Sequence, residues 1–315
     1  MKKLLAILLA LALVFALAVS CAKNEETPEV PETPEIPTAI TADRLGNPIT
    51  LPEEINTIIT FGAAIGEVLV ELGVGDKIIA TDTYSFDVAG LTADIPQFDM
   101  GNPDIEAILD LAPDVFIVTG MVLSQGSGAD AYKPFTDAGI CVVFIPNSES
   151  IEGIREDIRF LGGVVGAADK AAAVIAEMDG KIAAVKAIGD TIAETRSVFF
   201  TLADSSYLYS FGSGTFLNEI IEIIGARNIF ADQTSWIGVS GEQVLDANPD
   251  VILTSVNYLP DPIADILSIP GFDAITAVQN GDVFYVDANA SNRPSQNIVK
   301  ALDEMARAIY PEYYN

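Results

Sequence analysis

The sequence predicts an α/β fold in which two related lobes are joined by one long helix. Strand-like and helix-like segments alternate along most of the chain, two motifs occur twice in the same order, and an Ala-rich helical segment lies between the copies. Alternation of this kind is typical of parallel or mixed sheets with helices on both faces.

The first lobe is predicted to span residues 41–168. It opens with ADRLGNPITL, in which β-type residues flank Gly-Asn-Pro and predict a hairpin. Apolar runs rich in β-branched residues predict strands, and the amphipathic segments between them predict helices. The predicted strands are 56–61, 77–81, 114–120 and 140–146, and the main predicted helices are 63–73, 103–111 and 150–166.

Residues 169–196 break this alternation with 28 residues of Ala-rich helical pattern. A single helix of this length would reach about 40 Å, which is longer than one small lobe. Gly180 inside the segment costs a helix about 1 kcal/mol relative to alanine. The segment is therefore predicted to be a connecting helix that bends at Gly180, with two consecutive helices as the alternative.

The second lobe is predicted to span residues 197–315, where strands and helices resume. The predicted strands are 197–202, 206–211, 250–255 and 281–287, and the main predicted helices are 215–225 and 295–309.

Two motifs relate the lobes to each other. In GEVLVELG and NEIIEIIG a glutamate precedes a glycine by six positions, Glu67 before Gly73 and Glu219 before Gly225. EAILDLAPDVFIVT at 106–119 matches EQVLDANPDVILTS at 242–255 in the same register. One helix followed by Pro-Asp and an apolar strand is common in α/β proteins. Two copies in one order indicate a duplicated lobe.

Together these segments resemble the substrate-binding proteins of ABC importers for ferric siderophores, haem and vitamin B12. The matching stretch runs from Ala42 to Tyr310 and includes FLNEIIEIIGARNIF and the late NRPS. The resemblance implies two Rossmann-like lobes bridged by one rigid helix, a ligand in the cleft between them, and a binding protein that is not an enzyme.

The resemblance also implies a partner, a dimeric ABC permease whose arginines meet one carboxylate on each lobe. Glu67 and Glu219 are the matching positions, and both are predicted to lie near a helix start. The alternative is that each glutamate complements the dipole of its own helix, which stabilises a helix by about 0.3–1 kcal/mol.

In such a fold the ligand contacts loops at the carboxyl ends of strands. Candidate side chains in these loops are Tyr84, Phe86, Met100, Met121, Tyr207, Trp236, Tyr258 and Arg293. For each aromatic residue, packing in the core is the alternative role. A tris-catecholate siderophore is strongly anionic and needs several converging cations. Arg293 alone does not supply them, so a neutral ferric hydroxamate or a corrinoid fits better, with iron or cobalt left open.

Composition narrows the possible partners. The formal net charge is −29, which disfavours binding to nucleic acid or to an anionic membrane surface. The chain has no histidine, so neither a resident metal site nor a cofactor other than the captured ligand is expected. Cys141, in an apolar strand-like run, is expected to act as a small buried hydrophobe.

The first forty residues predict export and attachment. Residues 1–20 have a basic start, a short apolar run and small residues at the end, as in a secretory signal. Cys21 follows, as in the lipobox of bacterial lipoproteins, and residues 21–40 form a Pro- and Glu-rich tether. This predicts a protein held by lipid on the outer face of a bacterial membrane. The alternative is an ordinary signal followed by an incidental cysteine.

Two other classes of function remain. FGSGTF at 211–216 is Gly-rich and joins a strand to a helix start, which is a potential anion site for a nucleotide-using enzyme. However, neither GxGxxG nor GxxxxGK[ST] is completed, and the common acid–base and nucleophile sets are missing. A non-transport sensor or adhesin on the same fold is the other alternative.

Overall fold

The computed structural model describes residues 40–91, 94–124 and 128–314. The predicted signal peptide, Cys21 and nearly all of the tether lie outside these residues. No helix in the described ranges is both long enough and apolar enough to cross a membrane.

The described residues form eleven strands and eleven α-helices. The strands are β1 Ile58–Phe61, β2 Ile78–Asp82, β3 Gln97–Phe98, β4 Val115–Thr119, β5 Cys141–Ile145, β6 Ser197–Thr201, β7 Tyr209–Phe211, β8 Arg227–Asn228, β9 Trp236–Gly238, β10 Val251–Thr254 and β11 Val283–Tyr285. The helices are α1 Ala63–Glu71, α2 Ile105–Leu111, α3 Lys133–Asp137, α4 Ile151–Val164, α5 Ala168–Gly189, α6 Phe216–Ile224, α7 Gly241–Ala247, α8 Pro262–Leu267, α9 Thr276–Asn280, α10 Ala288–Asn292 and α11 Ile298–Ile309.

Each lobe is built on its own parallel sheet. The first lobe has the strand order β3-β2-β1-β4-β5, and the second has β11-β10-β6-β8, with every pairing parallel. A separate antiparallel pair, β7-β9, belongs to the second lobe. The predicted α/β fold of two lobes is confirmed, and the predicted hairpin is present as an antiparallel bridge between Ala42 and Pro48.

The two sheets share one continuous core layer. Because successive strand residues point to opposite faces, Ile58 of β1 and Val198 of β6 belong to a cluster that also contains one face of α5. The opposite faces of the sheets bury separate clusters, with Ile59 in the first lobe and Phe199 in the second. The apolar layer around α5 therefore connects the lobes.

The connecting helix is a single helix, α5, of 22 residues. At 1.5 Å per residue it spans about 33 Å. The alternative of two consecutive helices is wrong, and so is the predicted end at residue 196. The helix stops at Gly189, where its backbone meets α6 so closely that a β-carbon on Gly189 would lie 2.3 Å from the carbonyl oxygen of Ile223.

The duplicated Pro-Asp motif serves the same purpose in both lobes. Asp114 Oδ2 accepts hydrogen bonds from the backbone N–H of Asn56 (2.7 Å) and of Thr57 (2.9 Å), just before β1. Asp250 Oδ2 accepts from the N–H and the hydroxyl of Ser197, both at 2.7 Å, at the start of β6. In each copy the aspartate fixes the strand beside its own. This explains why the motif recurs in register.

Asp114 is expected to make the stability of the protein depend on pH. Hydrogen bonds from the amides of Asn56 and Thr57 hold the pKa of Asp114 below its ordinary value, although burial opposes them. A carboxylate with a lowered pKa in the folded state stabilises the fold above its unfolded pKa, and that stabilisation disappears as the pH falls through the folded value. We expect Asp114→Asn to lower the free energy of unfolding by about 2 kcal/mol at pH 7.

Denaturant unfolding of both proteins between about pH 3 and pH 7 measures this effect, since the unfolded pKa of aspartate is about 3.9. The difference in unfolding free energy between wild type and Asp114→Asn should become smaller as the pH falls toward about 3. Asp110→Asn is the matched control, because Asp110 is exposed on α2 in the same motif. A difference in unfolding free energy that does not change with pH would contradict the stabilising role of the ionised Asp114 carboxylate.

Candidate ligand-binding site

A cavity of about 710 Å³ lies between the two lobes. This volume is within the range of roughly 300–1,000 Å³ found for small-molecule sites. Its described lining comes from both lobes, from the loops after β4, β5 and β6 and from the β7-β9 pair. The lining residues are Leu45, Gly120, Met121, Leu123, Pro146, Asn147, Leu202, Tyr209, Trp236 and Asn292.

Trp236 forms the aromatic wall on the second lobe. It lies on β9 opposite Phe211 of β7, and its ring makes edge contacts with Phe211 and Phe216, both at 6.0 Å between centroids. Its indole Nε1 donates a hydrogen bond to Glu149 Oε1 of the first lobe at 3.1 Å. The predicted loop position of Trp236 is wrong, because the residue is on a short strand that packs on the core.

The cavity presents neutral groups. None of its described lining residues is a lysine, arginine, aspartate or glutamate. Burial raises the pKa of Tyr209, and the nearby Glu149 carboxylate raises it further, so the phenol stays protonated at neutral pH. Among the described lining side chains, the polar groups are this hydroxyl, the amides of Asn147 and Asn292, and the indole N–H of Trp236, which already donates to Glu149.

Of the eight predicted ligand contacts, the structure places Met121 and Trp236 in the cavity lining. Met100 is buried in the first lobe, where its carbonyl accepts from the Tyr132 hydroxyl. It lies in the loop after β3, as predicted, but its side chain packs in the core of the first lobe and is not part of the described lining. Arg293 is held by acidic side chains of the first lobe. The others are exposed outside the described lining: Tyr84, Phe86, Tyr207 and Tyr258.

Sequence reasoning missed several lining residues that had a usable signal. Pro146 and Asn147 directly follow β5, and Leu202 directly follows β6, so the rule that ligands lie at the carboxyl ends of strands identifies them. Leu45 had no such signal. It reaches the cavity because the hairpin docks on β5 through a hydrogen bond from the Arg44 N–H to the Phe144 carbonyl at 3.3 Å.

Glu67, on α1, reaches the segment that precedes α11 in the other lobe. Its Oε1 accepts from Arg293 Nη1 (2.9 Å), and its Oε2 accepts from the Ser295 hydroxyl (2.5 Å) and from Asn297 Nδ2 (2.8 Å). Arg293 Nη2 also donates to Asp87 Oδ1 at 2.6 Å. We call these five residues the Glu67 cluster. The Glu67 side chain is only 9% exposed.

The charges of the cluster reinforce each other. Burial by itself lowers the pKa of Arg293, but its hydrogen bonds to Asp87 and Glu67 outweigh burial and raise the pKa above the ordinary value. Burial raises the pKa of Asp87, and the hydrogen bonds from Arg293 and Asn289 outweigh it, so this pKa is lowered. Arg293 and Asp87 are therefore a charged pair at neutral pH.

Glu219 makes the corresponding contact in the opposite direction. Its Oε2 accepts from the backbone N–H of Ile151, the first residue of α4, at 3.0 Å. Glu219 lies in the first turn of α6, as predicted. Glu67 does not lie at a helix start, because α1 begins at Ala63. The helix-dipole explanation therefore applies to Glu219 and not to Glu67.

A second depression, of about 410 Å³, adjoins the Glu67 cluster. It has more acidic than basic side chains. The acidic ones are Glu67, Glu71, Asp87, Asp287 and Glu304, and the basic ones are Arg293 and Lys300. Within the described ranges, no three histidine, cysteine, aspartate or glutamate side chains are grouped so that they could hold a metal ion. Cys141 is half-buried at the start of β5, and burial raises the pKa of its thiol.

Two parallel-sheet lobes around an interlobe cavity, joined by one long helix, define a solute-binding protein. The chain belongs to the periplasmic binding protein family, whose pattern it matches over residues 58–290. The predicted resemblance to substrate-binding proteins of ABC importers is confirmed. Because the relatives are binding proteins, the prediction that the chain is not an enzyme is confirmed as well.

Among curated relatives, the chain is 28% identical over 281 residues to the uncharacterized ABC transporter substrate-binding lipoprotein YvrC of Bacillus subtilis, an alignment that covers 87% of each chain. It is 28% identical over 277 residues to a cobalamin-binding protein of Halobacterium salinarum, which covers 85% of this chain and 73% of the relative.

Solved structures show the same fold. A possible iron-binding (periplasmic solute-binding) protein from Staphylococcus epidermidis superposes with a TM-score of 0.72 at 25% identity, covering 82% of this chain and 100% of the other. The periplasmic heme-binding protein RhuT from Roseiflexus sp. superposes with a TM-score of 0.72 at 21% identity, covering 82% of this chain and 98% of the other.

Proposed function

We propose that this protein captures a metal chelate of the iron–siderophore type in its interlobe cavity and delivers it to an ABC permease. The observation that carries this proposal is the cavity itself, which is lined by apolar and aromatic side chains from both lobes. A site of this kind binds a ligand through shape and buried apolar surface, with a few polar groups to orient it.

The neutral lining supports a ligand without strong charge. A ferric hydroxamate, whose charge is balanced within the chelate, can contact Trp236 and Tyr209 and accept or donate hydrogen bonds at Asn147 and Asn292. A corrinoid or haem is the alternative, and a relative named as a cobalamin-binding protein and a structural neighbour named as heme-binding are consistent with it. A tris-catecholate finds no cation among the described lining residues.

We assign Glu67 and Glu219 as the contacts for the arginines of a permease dimer. This assignment rests on the duplication of the motif, one copy in each lobe. The acidic depression beside Glu67 is compatible with a basic partner surface. The Glu67 carboxylate already accepts from three partners in the protein and is only 9% exposed, so a permease arginine would compete with Arg293 for it.

The proposal includes export and anchoring. Residues 1–20 act as a signal peptide, Cys21 carries the lipid, and residues 21–40 hold the folded part away from the membrane. The lobes are then residues 41–168 and 197–315, with 169–196 between them. A named lipoprotein among the relatives is consistent with this arrangement.

The alternatives from other classes have less support. A nucleotide-using enzyme would place phosphate at the start of α6, but there the Thr215 side chain accepts from the Asn218 N–H and occupies the capping position. A sensor or adhesin on this fold would bind the same ligand in the same cavity, and only an uptake measurement separates it from an importer component.

Binding is tested by the fluorescence of Trp236, the single tryptophan of the chain. We expect a saturable quench of its emission when the correct chelate from a panel of ferric hydroxamates, ferric catecholates, haem and cobalamin is added at micromolar concentration. An iron or cobalt chelate near the indole accounts for the quench, because Trp236 lines the cavity. Visible absorbance of the chelate provides a second signal.

The control is Trp236→Phe, which keeps an aromatic ring and removes the emission. Binding to this variant is then followed by absorbance alone. The proposal is rejected if no member of the panel binds at micromolar concentration while a nucleotide does.

A further inference from the structure

Each lobe places one glutamate side chain in contact with the opposite lobe. Glu67 of α1 contacts the segment before α11 in the second lobe, and Glu219 of α6 contacts the first residue of α4 in the first lobe. The two helices carry the same duplicated motif, so these contacts are reciprocal. Glu219 accepts from a backbone N–H at the start of α4, which lacks a partner within that helix, whereas Glu67 accepts from the side chains of residues just before α11.

We infer that the Glu67 cluster fixes the relative orientation of the two lobes in the ligand-free protein, with Arg293 as the positioning residue. Among the described residues, the ion pairs that join one lobe directly to the other are both made by Arg293, to Glu67 and to Asp87. Its planar guanidinium reaches two acids that lie on separate segments of the first lobe, which a lysine cannot do with the same geometry.

The Glu67 cluster is shielded from water, and this shielding determines how much its ion pairs contribute to holding the lobes together. Exposed ion pairs contribute little to stability, but the side chains of Arg293 and Glu67 are only 14% and 9% exposed. Removing one partner of a shielded pair leaves the other charge uncompensated. The remaining Glu67 contacts, from Ser295 and Asn297, do not supply a positive charge.

The arrangement has a consequence that rests on the proposed permease docking. An external arginine would have to compete with Arg293 for the Glu67 carboxylate, which is only 9% exposed while the intramolecular contact holds. Docking would then release the lobes from each other on one side of the cavity, at the moment when the ligand has to leave.

Amide hydrogen exchange on the ligand-free full-length protein in detergent tests the inference without any ligand or permease. We expect Arg293→Gln to speed exchange at residues 295–299 by about tenfold, the effect of losing a charge-assisted hydrogen bond. The decisive amide is that of Ile151, which donates to Glu219 in an interlobe contact separate from the Glu67 cluster. If the lobes move as bodies, its exchange accelerates too.

Arg307→Gln is the matched control, since Arg307 lies on the same helix and pairs with Asp303 at the surface. Faster exchange confined to residues 295–299, with Ile151 unchanged, overturns the inference, because the cluster then has only a local role. If Arg293→Gln does not fold, Arg293→Lys replaces it, with about threefold acceleration expected at both places from a single retained contact. Because no chelate is present, failure here is distinguishable from failure of the binding proposal.

Discussion

Replacing Gly225 with alanine is expected to lower the free energy of unfolding by about 3 kcal/mol more than the same replacement of Gly73, the upper end of what overpacking usually costs, because only the first creates a backbone collision. Both glycines follow the duplicated Glu-containing helix and both have a positive φ, +89° at Gly225 and +84° at Gly73. Each alanine therefore pays the left-handed penalty of about 1–2 kcal/mol.

The surroundings of the two glycines differ. Nothing lies within 4 Å of a β-carbon built on Gly73, whereas one on Gly225 would lie 2.6 Å from the carbonyl oxygen of Gly189. That oxygen belongs to the end of the connecting helix, and it cannot move without shifting α5 against α6. Gly73 is thus the matched control for the conformational penalty.

Chemical denaturation of the two variants and the wild type measures the difference. Gly73→Ala should lose only the conformational penalty of about 1–2 kcal/mol, whereas Gly225→Ala should unfold at clearly lower denaturant concentration or accumulate poorly. An equal loss of unfolding free energy in the two variants would contradict the close contact between α5 and α6, because both alanines would then cost only the conformational penalty.

The duplication made the architecture predictable. The Pro-Asp motif recurs because Asp114 and Asp250 each hold the start of the adjacent strand, so the motif marks a sheet wherever it occurs. The strands that follow it, β4 and β10, are buried on both faces, and their apolar runs were recognised for that reason. The short strands β3 and β8 contain two residues each and leave no periodic pattern to read.

The end of the connecting helix could not be predicted, because it depends on distant residues. The carbonyls of the last residue of α6 and of the glycine that follows it accept hydrogen bonds from tyrosines near the C-terminus, Tyr314 to Ile224 at 2.9 Å and Tyr310 to Gly225 at 3.1 Å. Gly189 of α5 packs into the same place. Gly189 is a local signal for a helix end, but the helix continues through Gly180, and nothing within residues 169–196 shows that only Gly189 meets α6.

The cavity was predicted only in outline for a similar reason. Loop positions and aromatic character identified Trp236, but they do not distinguish a ring that faces a cavity from one that faces solvent. Phe86 is 73% exposed and Tyr84 is 68% exposed. Arg293 was recognised as an unusual basic residue, and its partners lie more than 200 positions away in the sequence, at Glu67 and Asp87.

The largest functional effect is expected from Glu67→Ala combined with Glu219→Ala. If these carboxylates meet permease arginines, the double variant should lose at least about tenfold in uptake of the chelate that quenches Trp236, since removing one partner of a buried interfacial charge pair costs about 2–5 kcal/mol. Ligand affinity should stay unchanged, because neither glutamate lines the cavity in the described structure. Uptake into cells and chelate binding to purified protein are measured in parallel.

Both glutamates also join the lobes, so a loss of uptake has two explanations that need separate controls. Glu71→Ala with Glu222→Ala removes exposed acids from the same two helices and should retain uptake. Arg293→Gln breaks the interlobe contact but leaves Glu67 available to a permease. If Glu67 docks to the permease, Arg293→Gln should keep uptake at or above the wild-type rate. If Arg293→Gln loses as much uptake as the double glutamate variant, the carboxylates act by holding the lobes together and not by docking. Unchanged uptake in the double variant would eliminate the docking role altogether.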